Sequence, residues 1–242
     1  MTNCAVFVIH RVVSELPQRI DDVPSSLLEK WLDRHHAQMP KLGEEISFEE
    51  PKWQVLLTFD DGNQSDFNIV IKLLKKYSVN ALFFIVPEYL GKKGFTSQKK
   101  LKEMSDMGFL IGSHSYNHPD CSFLDEQEFK KELRISKQKL SQITGMHINY
   151  FAFPYGLIPS YFNSTLYNEY LFYFGSKPGI LNIESNVISR CPLNSKSDSK
   201  SITNIMKSIT RPYSIYMIKF KIKEFLKSVI PKSLYGFLRN TI

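Results

Sequence analysis

Residues 53–86 read WQVLLTFDDGNQSDFNIVIKLLKKYSVNALFFIV. The apolar run at 53–59 is short and rich in β-forming residues, as a buried strand requires. From 65 to 77 the apolar residues Ile69, Val70, Leu73 and Leu74 fall at helical spacing, the stripe of an amphipathic helix. At 81–86 (ALFFIV) a second buried strand follows. Two largely apolar strands joined by one helix read as a parallel pair with a crossover, and such sheets are covered by helices.

Working outward, the alternation continues. Residues 5–10 (AVFVIH) form an amino-terminal strand. Ser26 and Glu29 make a capping-box signature for a helix that runs to about residue 39 and stops at Pro40. A helix is predicted over 96–107, closed by Gly108, then a strand over 109–112. Asp125 and Glu128 cap a longer helix ending at Thr144 and Gly145, and 148–153 (INYFAF) is the next strand. This order specifies an α/β architecture with a parallel sheet, either a barrel or a doubly wound sheet. Beyond about residue 177 the pattern weakens, and 194–204 (NSKSDSKSITN) reads as an exposed loop. With no internal repeat or boundary, residues 1–242 read as one domain.

Of the 242 residues 43% are apolar and 23% charged, which supports a full core and excludes a disordered chain. The 18 Phe and 12 Tyr suit a carbohydrate handler and equally an ordinary aromatic core. The net charge of +7 is local. Residues 196–242 hold eight Lys and two Arg against Asp198 and Glu224, a surplus of eight that leaves the rest of the chain at −1. A basic tail on a neutral body does not indicate nucleic acid, and nothing indicates a protein partner. Cys4, Cys121 and Cys191 form neither a disulfide framework nor a CxxC pattern. The apolar stretch 4–9 lacks a basic leader, and no run reaches the ~20 residues of a membrane span. The expected location is the cytoplasm.

Polar clusters fall where the strands end: DDG after Phe59, HSYNH after Gly112, PYG after Phe153. In parallel α/β folds the site lies beyond the carboxyl ends of the strands, so three such clusters point to one site built from several loops. Asp60 and Asp61 are adjacent on an extended segment and face opposite ways, so one can hold a cation while the other reaches a water beside it. A solvated Asp-Gly turn is the plain alternative. His114 and His118, four apart, can converge on one side of a helical turn as nitrogen ligands; the alternative is two surface histidines. With one Asp they would leave a coordination position open for water or substrate, as catalytic zinc sites do. His35 and His36, beside Arg34 in a helix, read as solvated.

TFDDG at 58–62, HSxxH at 114–118 and FxFPYG at 151–156, in this order, resemble the polysaccharide deacetylases of carbohydrate esterase family 4. The resemblance spans residues 5–156 and is weak afterwards. It implies a distorted (β/α) barrel of about seven parallel strands, completed by 157–242, and hydrolysis of N-acetyl groups on amino sugars. It implies one divalent metal ion, zinc, held by Asp61, His114 and His118, with Asp60 as general base and the Tyr155 backbone N–H at the oxyanion.

Two positions depart from the family. Most members supply the leaving-group acid from a late His, and this chain has none after His147; His10, ending the first strand, is the replacement, as in a branch with an amino-terminal His motif. Its alternative is a core-edge histidine. Many members carry an Arg at the position of Ala152 to orient the catalytic Asp; Arg190 could do so from another strand. These departures resemble the short bacterial deacetylases of surface-polysaccharide work. The expected partner is an N-acetylated oligo- or polysaccharide. The competing readings are a metal hydrolase of another amide or ester, and a non-catalytic sugar-binding homologue. Residues 215–230 read as a basic amphipathic helix that packs on the barrel or makes a peripheral contact with the inner membrane face.

Overall fold

The computed structural model describes residues 4–14, 16–164, 166–178, 187–198 and 200–209; the basic segment 215–230 lies outside them. The elements are β1 (Ala5–Ile9), β2 (Arg11–Val13), β3 (Asp22–Pro24), α1 (Ser25–His35), β4 (Val55–Phe59), α2 (Ile71–Lys76), β5 (Leu82–Ile85), α3 (Gln98–Asp106), β6 (Leu110–Ser113), α4 (Glu126–Thr144), β7 (Tyr150–Ala152), β8 (Phe172–Phe174), β9 (Val187–Ile188), β10 (Arg190–Pro192) and α5 (Ser201–Ile209).

Eight strands form one sheet in the order β10-β1-β4-β5-β6-β7-β8-β9, and every pairing in it is parallel. β9 pairs with β8, Phe174 opposite Ile188. Two residues later β10 pairs with β1, Val6 opposite Arg190. One extended segment therefore touches both edges, and the sheet nearly closes into a barrel with helices outside. The short pair β2–β3 stands apart from it.

Strand alternation divides the core in two. Phe7, Leu57, Phe83, Ile111, Phe151 and Tyr173 face the helices and pack on Leu28, Trp31, Leu74, Leu101, Leu133 and Leu140. Val6, Leu56, Leu82, Phe84, Ala152, Phe174 and Ile188 belong to a second cluster with Phe48 and Trp53. By the same parity Asp60 follows Leu56 and Thr58, and Arg190 follows Ile188, so both continue the inner column toward the carboxyl end.

Helix ends follow the sequence signals except at α1. On α4, Asp125 accepts from Glu128 N, Glu128 Oε2 accepts from Asp125 N, and Gly145 closes the helix at φ 74°. In contrast, α1 starts directly from β3 with Pro24 as its cap and no side-chain cap. Ser26 is already inside the helix, and Glu29 accepts from Lys76 Nζ at 2.6 Å instead. The 65–77 helix opens with a π-turn, Asp66–Val70. His35, expected in solvent, is buried and bonds Gln38 Oε1 at 2.9 Å. The loop expected at 194–204 is half helix: Asp198 Oδ1 accepts from Lys200 N and Ser201 Oγ, and α5 then packs Ile202, Ile205 and Met206 on the core. No helix among the described residues is long and apolar enough to cross a membrane.

Candidate active site

The polar loops at the carboxyl ends of β4, β6 and β7 meet over the barrel mouth. Four of the five non-glycine residues with positive φ among the described residues are here: Asp61 (74°), Ser115 (61°), His118 (63°) and Tyr155 (57°). Such conformations cost about 1–3 kcal/mol each and persist only where the surroundings enforce them. At Gly156 (φ 68°) a Cβ would lie 2.2 Å from Ser176 Oγ, so the PYG turn admits no side chain there.

His114 and His118 do not converge on a helical turn, as their spacing had suggested. Their loop carries two left-handed residues instead, and α4 holds it. Glu132 Oε2 accepts from the backbone N–H of Tyr116 (2.8 Å) and Asn117 (3.2 Å). Ser136 Oγ donates to Ser115 O (3.1 Å), and Ser115 Oγ accepts from His118 N (3.0 Å).

One ligand atom from each of Asp61, His114 and His118 lies within 4.8 Å of the others. His114 Nδ1 donates to Ala152 O at 2.8 Å, which turns Nε2 toward the acids. His114 Nε2 and His118 Nε2 stand 3.7 and 3.5 Å from Asp61 Oδ1. Burial chiefly, despite the nearby carboxylates, holds His114 down at about 4; burial and then His114 do the same for His118. Both rings are thus neutral near pH 7, so these contacts are not ion pairs. They present lone pairs. A tetrahedral ion with bonds of ~2.1 Å sets its ligands ~3.4 Å apart. Asp61 Oδ1 is buried with no hydrogen-bond partner, and burial raises the Asp61 carboxyl, with Asp60 adding to the effect. An orphaned carboxylate oxygen between two neutral imidazoles fits a divalent cation.

Asp60 is held differently. Arg190 Nη1 and Nη2 donate to its two oxygens at 2.7 and 3.0 Å, while Arg190 Nε donates to Gly175 O at 3.0 Å and Nη1 also reaches Thr58 Oγ1 at 3.2 Å. The guanidinium lies 5.1 Å over the Phe84 ring and is 1% exposed. Burial alone would raise the Asp60 carboxyl, but the Arg190 charge and hydrogen bonds outweigh it and keep it at about 2. Asp60 Oδ2 lies 3.7 Å from His114 Nε2. His10, half-buried at the end of β1, acts electrostatically on Asp60, Asp61, His114 and His118. The Tyr155 ring is 45% exposed and packs edge-on against His118 at 4.6 Å.

All seven residues singled out in the sequence therefore gather at one mouth. Glu132 and Ser136 were missed, although both lie beside the buried stripe Phe129–Leu133–Leu140, where a carboxylate needs a reason. Asp66 was missed too. It is fully buried, and burial, then the charges of Asp61 and Asp60, push its carboxyl well up.

A family model described as polysaccharide deacetylase matches residues 49–170. The chain belongs to the polysaccharide deacetylase family. Among curated members of this family, a peptidoglycan-N-acetylglucosamine deacetylase of Bacillus cereus is 27% identical over 147 residues, 60% of this chain and 49% of that protein. A poly-beta-1,6-N-acetyl-D-glucosamine N-deacetylase of Staphylococcus epidermidis is 30% identical over 148 residues, 53% of this chain and 51% of that one. The chain spans a third to a half of the length of four of the curated relatives it matches, and less of others. Among solved structures, the Streptococcus pyogenes deacetylase PplD in complex with acetate superposes with a TM-score of 0.74 at 20% identity, over 84% of this chain and 98% of that one. A Bacillus cereus polysaccharide deacetylase gives 0.73 at 22%, over 84% and 69%. At these identities the likeness establishes the barrel fold.

Proposed function

We propose that this chain is a metal-dependent hydrolase that removes N-acetyl groups from the amino sugars of a poly- or oligosaccharide. The observation that carries the reading is the pairing of two distinct carboxylates at one mouth: Asp61 among two neutral imidazoles, and Asp60 outside that set on a bidentate Arg190. A sugar-binding or structural metal site has no use for the second.

Asp61, His114 and His118 would hold the ion, zinc by their donor chemistry; when bound, such an ion polarises a carbonyl and acidifies water. Asp60 accepts a proton from the water that adds to the acetyl carbon. Arg190 keeps that carboxylate ionised and fixes its plane. The backbone N–H of Tyr155 donates to the oxyanion as negative charge develops there. His10 delivers a proton to the nitrogen as the C–N bond breaks, so the products are acetate and the free amine. Work on surface polysaccharide, from the cytoplasmic side of the membrane, is part of the same proposal; fractionation of cells checks the location.

Acetate release from N-acetylglucosamine oligomers, with and without chelator, tests the reading. Metal analysis of the wild type and of His118→Ala accompanies it, and the variant is expected to lose more than about 100-fold in affinity, since even outer-shell partners are worth ~10–100-fold. Chelator-resistant activity, or equal metal content in both proteins, removes the metal assignment.

A further inference from the structure

The ladder between β1 and β4 stops just short of the residues that do the chemistry. Its last bond runs from Asp60 N to Ile9 O at 3.1 Å, and the last opposed pair is Ile9 and Phe59. Beyond it the two strands part. β2 leaves to pair with β3, and the segment after β4 turns back through Asp61 and Gly62, both left-handed at φ 74°. His10 and Asp60 follow the last opposed pair, one on each strand.

The turn brings Asn63 to that gap. Its Nδ2 donates to His10 O at 2.9 Å and, more weakly, to Asp60 O at 3.3 Å. Both partners are carbonyl oxygens, which only accept, so the amide nitrogen and not its oxygen faces them. One planar NH2 group therefore spans the two strands where the backbone ladder has stopped. The turn itself does not need this side chain. Its main chain is held by bonds from Thr96 N to Gly62 O (2.9 Å), from Gln64 N to Gly94 O (2.9 Å) and from Asp66 N to Asn63 O (3.0 Å).

A carbonyl oxygen marks the ψ of its own residue, because the planar peptide swings as a unit. Fixing His10 O and Asp60 O therefore fixes the backbone that aims both side chains. His10 is restrained on either side as well. Ile9 O accepts from Asp60 N, and Arg11 is held on the buried Asp22 carboxylate through Nε (2.6 Å) and Nη2 (2.9 Å). Asp60 is aimed a second time by Arg190 on its carboxylate, so loss of the Asn63 amide falls on His10 first. We infer that Asn63 is a positioning residue: it sets the direction of His10 relative to Asp60, and with it the geometry of proton delivery to the departing amine. The proton delivery rests on the deacetylase reading; the aiming of His10 does not.

Asn63→Leu keeps the volume and removes both donors. Asn63→Ser, with one donor on a shorter arm, stands in if the leucine variant does not fold, with a smaller change in the same direction. The full chain, zinc-loaded, is assayed on the N-acetylglucosamine tetramer, and crystal structures of wild type and variant locate the His10 ring. In Asn63→Leu, kcat should fall by about tenfold, the worth of one or two hydrogen bonds, with KM and zinc affinity unchanged. The His10 ring should move or lose order while Asp61, His114 and His118 stay in place. Placed on His10→Ala, the same substitution should cost less than about twofold, because the group it aims is gone. A residue that only braced the loop would show its full loss in both backgrounds. With turnover present, an unmoved ring, an unchanged kcat or full additivity overturns the inference and leaves the deacetylase reading. A displaced ring in a chain without turnover upholds the aiming of His10 and removes that reading. An unmoved ring without turnover overturns both.

Discussion

At the amino end of the barrel interior, the Phe48 ring packs on Trp53, Phe172 and Phe174 at centroid separations of 5.6, 4.8 and 5.6 Å. At the carboxyl end, further along the same inner column, the interior holds Asp60, His114 and Arg190, all nearly inaccessible. The first end is hydrocarbon in ordinary backbone conformations. The second collects an ion pair, two neutral imidazoles, an orphaned carboxylate oxygen and four strained residues. Phe84 joins them, since its ring packs on Phe174 below at 4.9 Å and lies under the Arg190 guanidinium above at 5.1 Å. Packing at one end thus offsets the strain and desolvation carried at the other, which implies that stability and chemistry can be damaged separately.

The largest effect expected is on chemistry alone. Asp60→Asn keeps the volume and can still accept from Arg190, so metal content should hold while turnover falls by about 10²–10⁴-fold. Near-normal turnover would take Asp60 out of the mechanism. Phe48→Ala is the converse, removing a buried aromatic far from the ligands. A loss of roughly 3–5 kcal/mol in denaturant unfolding is expected, with metal affinity unchanged in a titration under native conditions. A coupled fall in metal affinity would show that the two ends are not independent.

Acid sharpens the same comparison. In the chelated protein, His114 titrates at about 4 when folded and at ~6.5 when unfolded. The unfolded state therefore binds the extra proton first. The stability this group allows is whole above pH ~6.5 and is lost progressively as pH falls toward about 4, by roughly 1.4 kcal/mol per unit. Asp60, held near 2, adds a second loss between about 4 and 2 of the usual carboxylate sign. Melting temperatures from pH 7.5 to 4 should therefore drop for wild type and Phe48→Ala with the same slope, because the phenyl ring does not titrate. A flat profile would mean that the imidazoles are not buried neutral.

How much of this was legible depended on segment length and on locality. The strands β1, β4, β5, β6 and β7 read correctly because each lies in a mainly apolar run, whereas the short pair β2 and β3 was not read; Asp60, Asp61, His114 and His118 were found because they follow such runs. β8, β9 and β10 are two or three residues long, below the length at which alternation can be read. The Asp60–Arg190 pair joins residues 130 apart. It exists because the sheet nearly closes, so no local pattern at 188–190 could fix the geometry. Ser115 and His118 take left-handed conformations without the glycine that usually announces one, so HSYNH was read as a helical turn. The Ser26–Glu29 signature failed because β3 feeds α1 through Pro24 and leaves no room for a serine cap.

The smallest effect expected tests how the strained end is held. Glu132 touches no ligand side chain; its Oε2 accepts from the backbone of Tyr116 and Asn117, between the two histidines. Those N–H groups point out of a loop whose Ser115 and His118 are both left-handed, and a charged acceptor for two donors is stronger than a neutral one. Glu132→Gln keeps the shape and one acceptor oxygen but removes the charge. If Glu132 positions His118, affinity for zinc measured against a competing chelator should fall by about tenfold, within the range for partners outside the ligand shell. Asp60 and the Phe48 cluster are untouched, so unfolding of the chelated protein should shift by less than about 1 kcal/mol, the net worth of one hydrogen bond. Unchanged zinc affinity would mean that Ser136 and the Ser115 hydroxyl hold the loop without Glu132. A large loss of stability in the chelated protein would make Glu132 part of the packing rather than of the site.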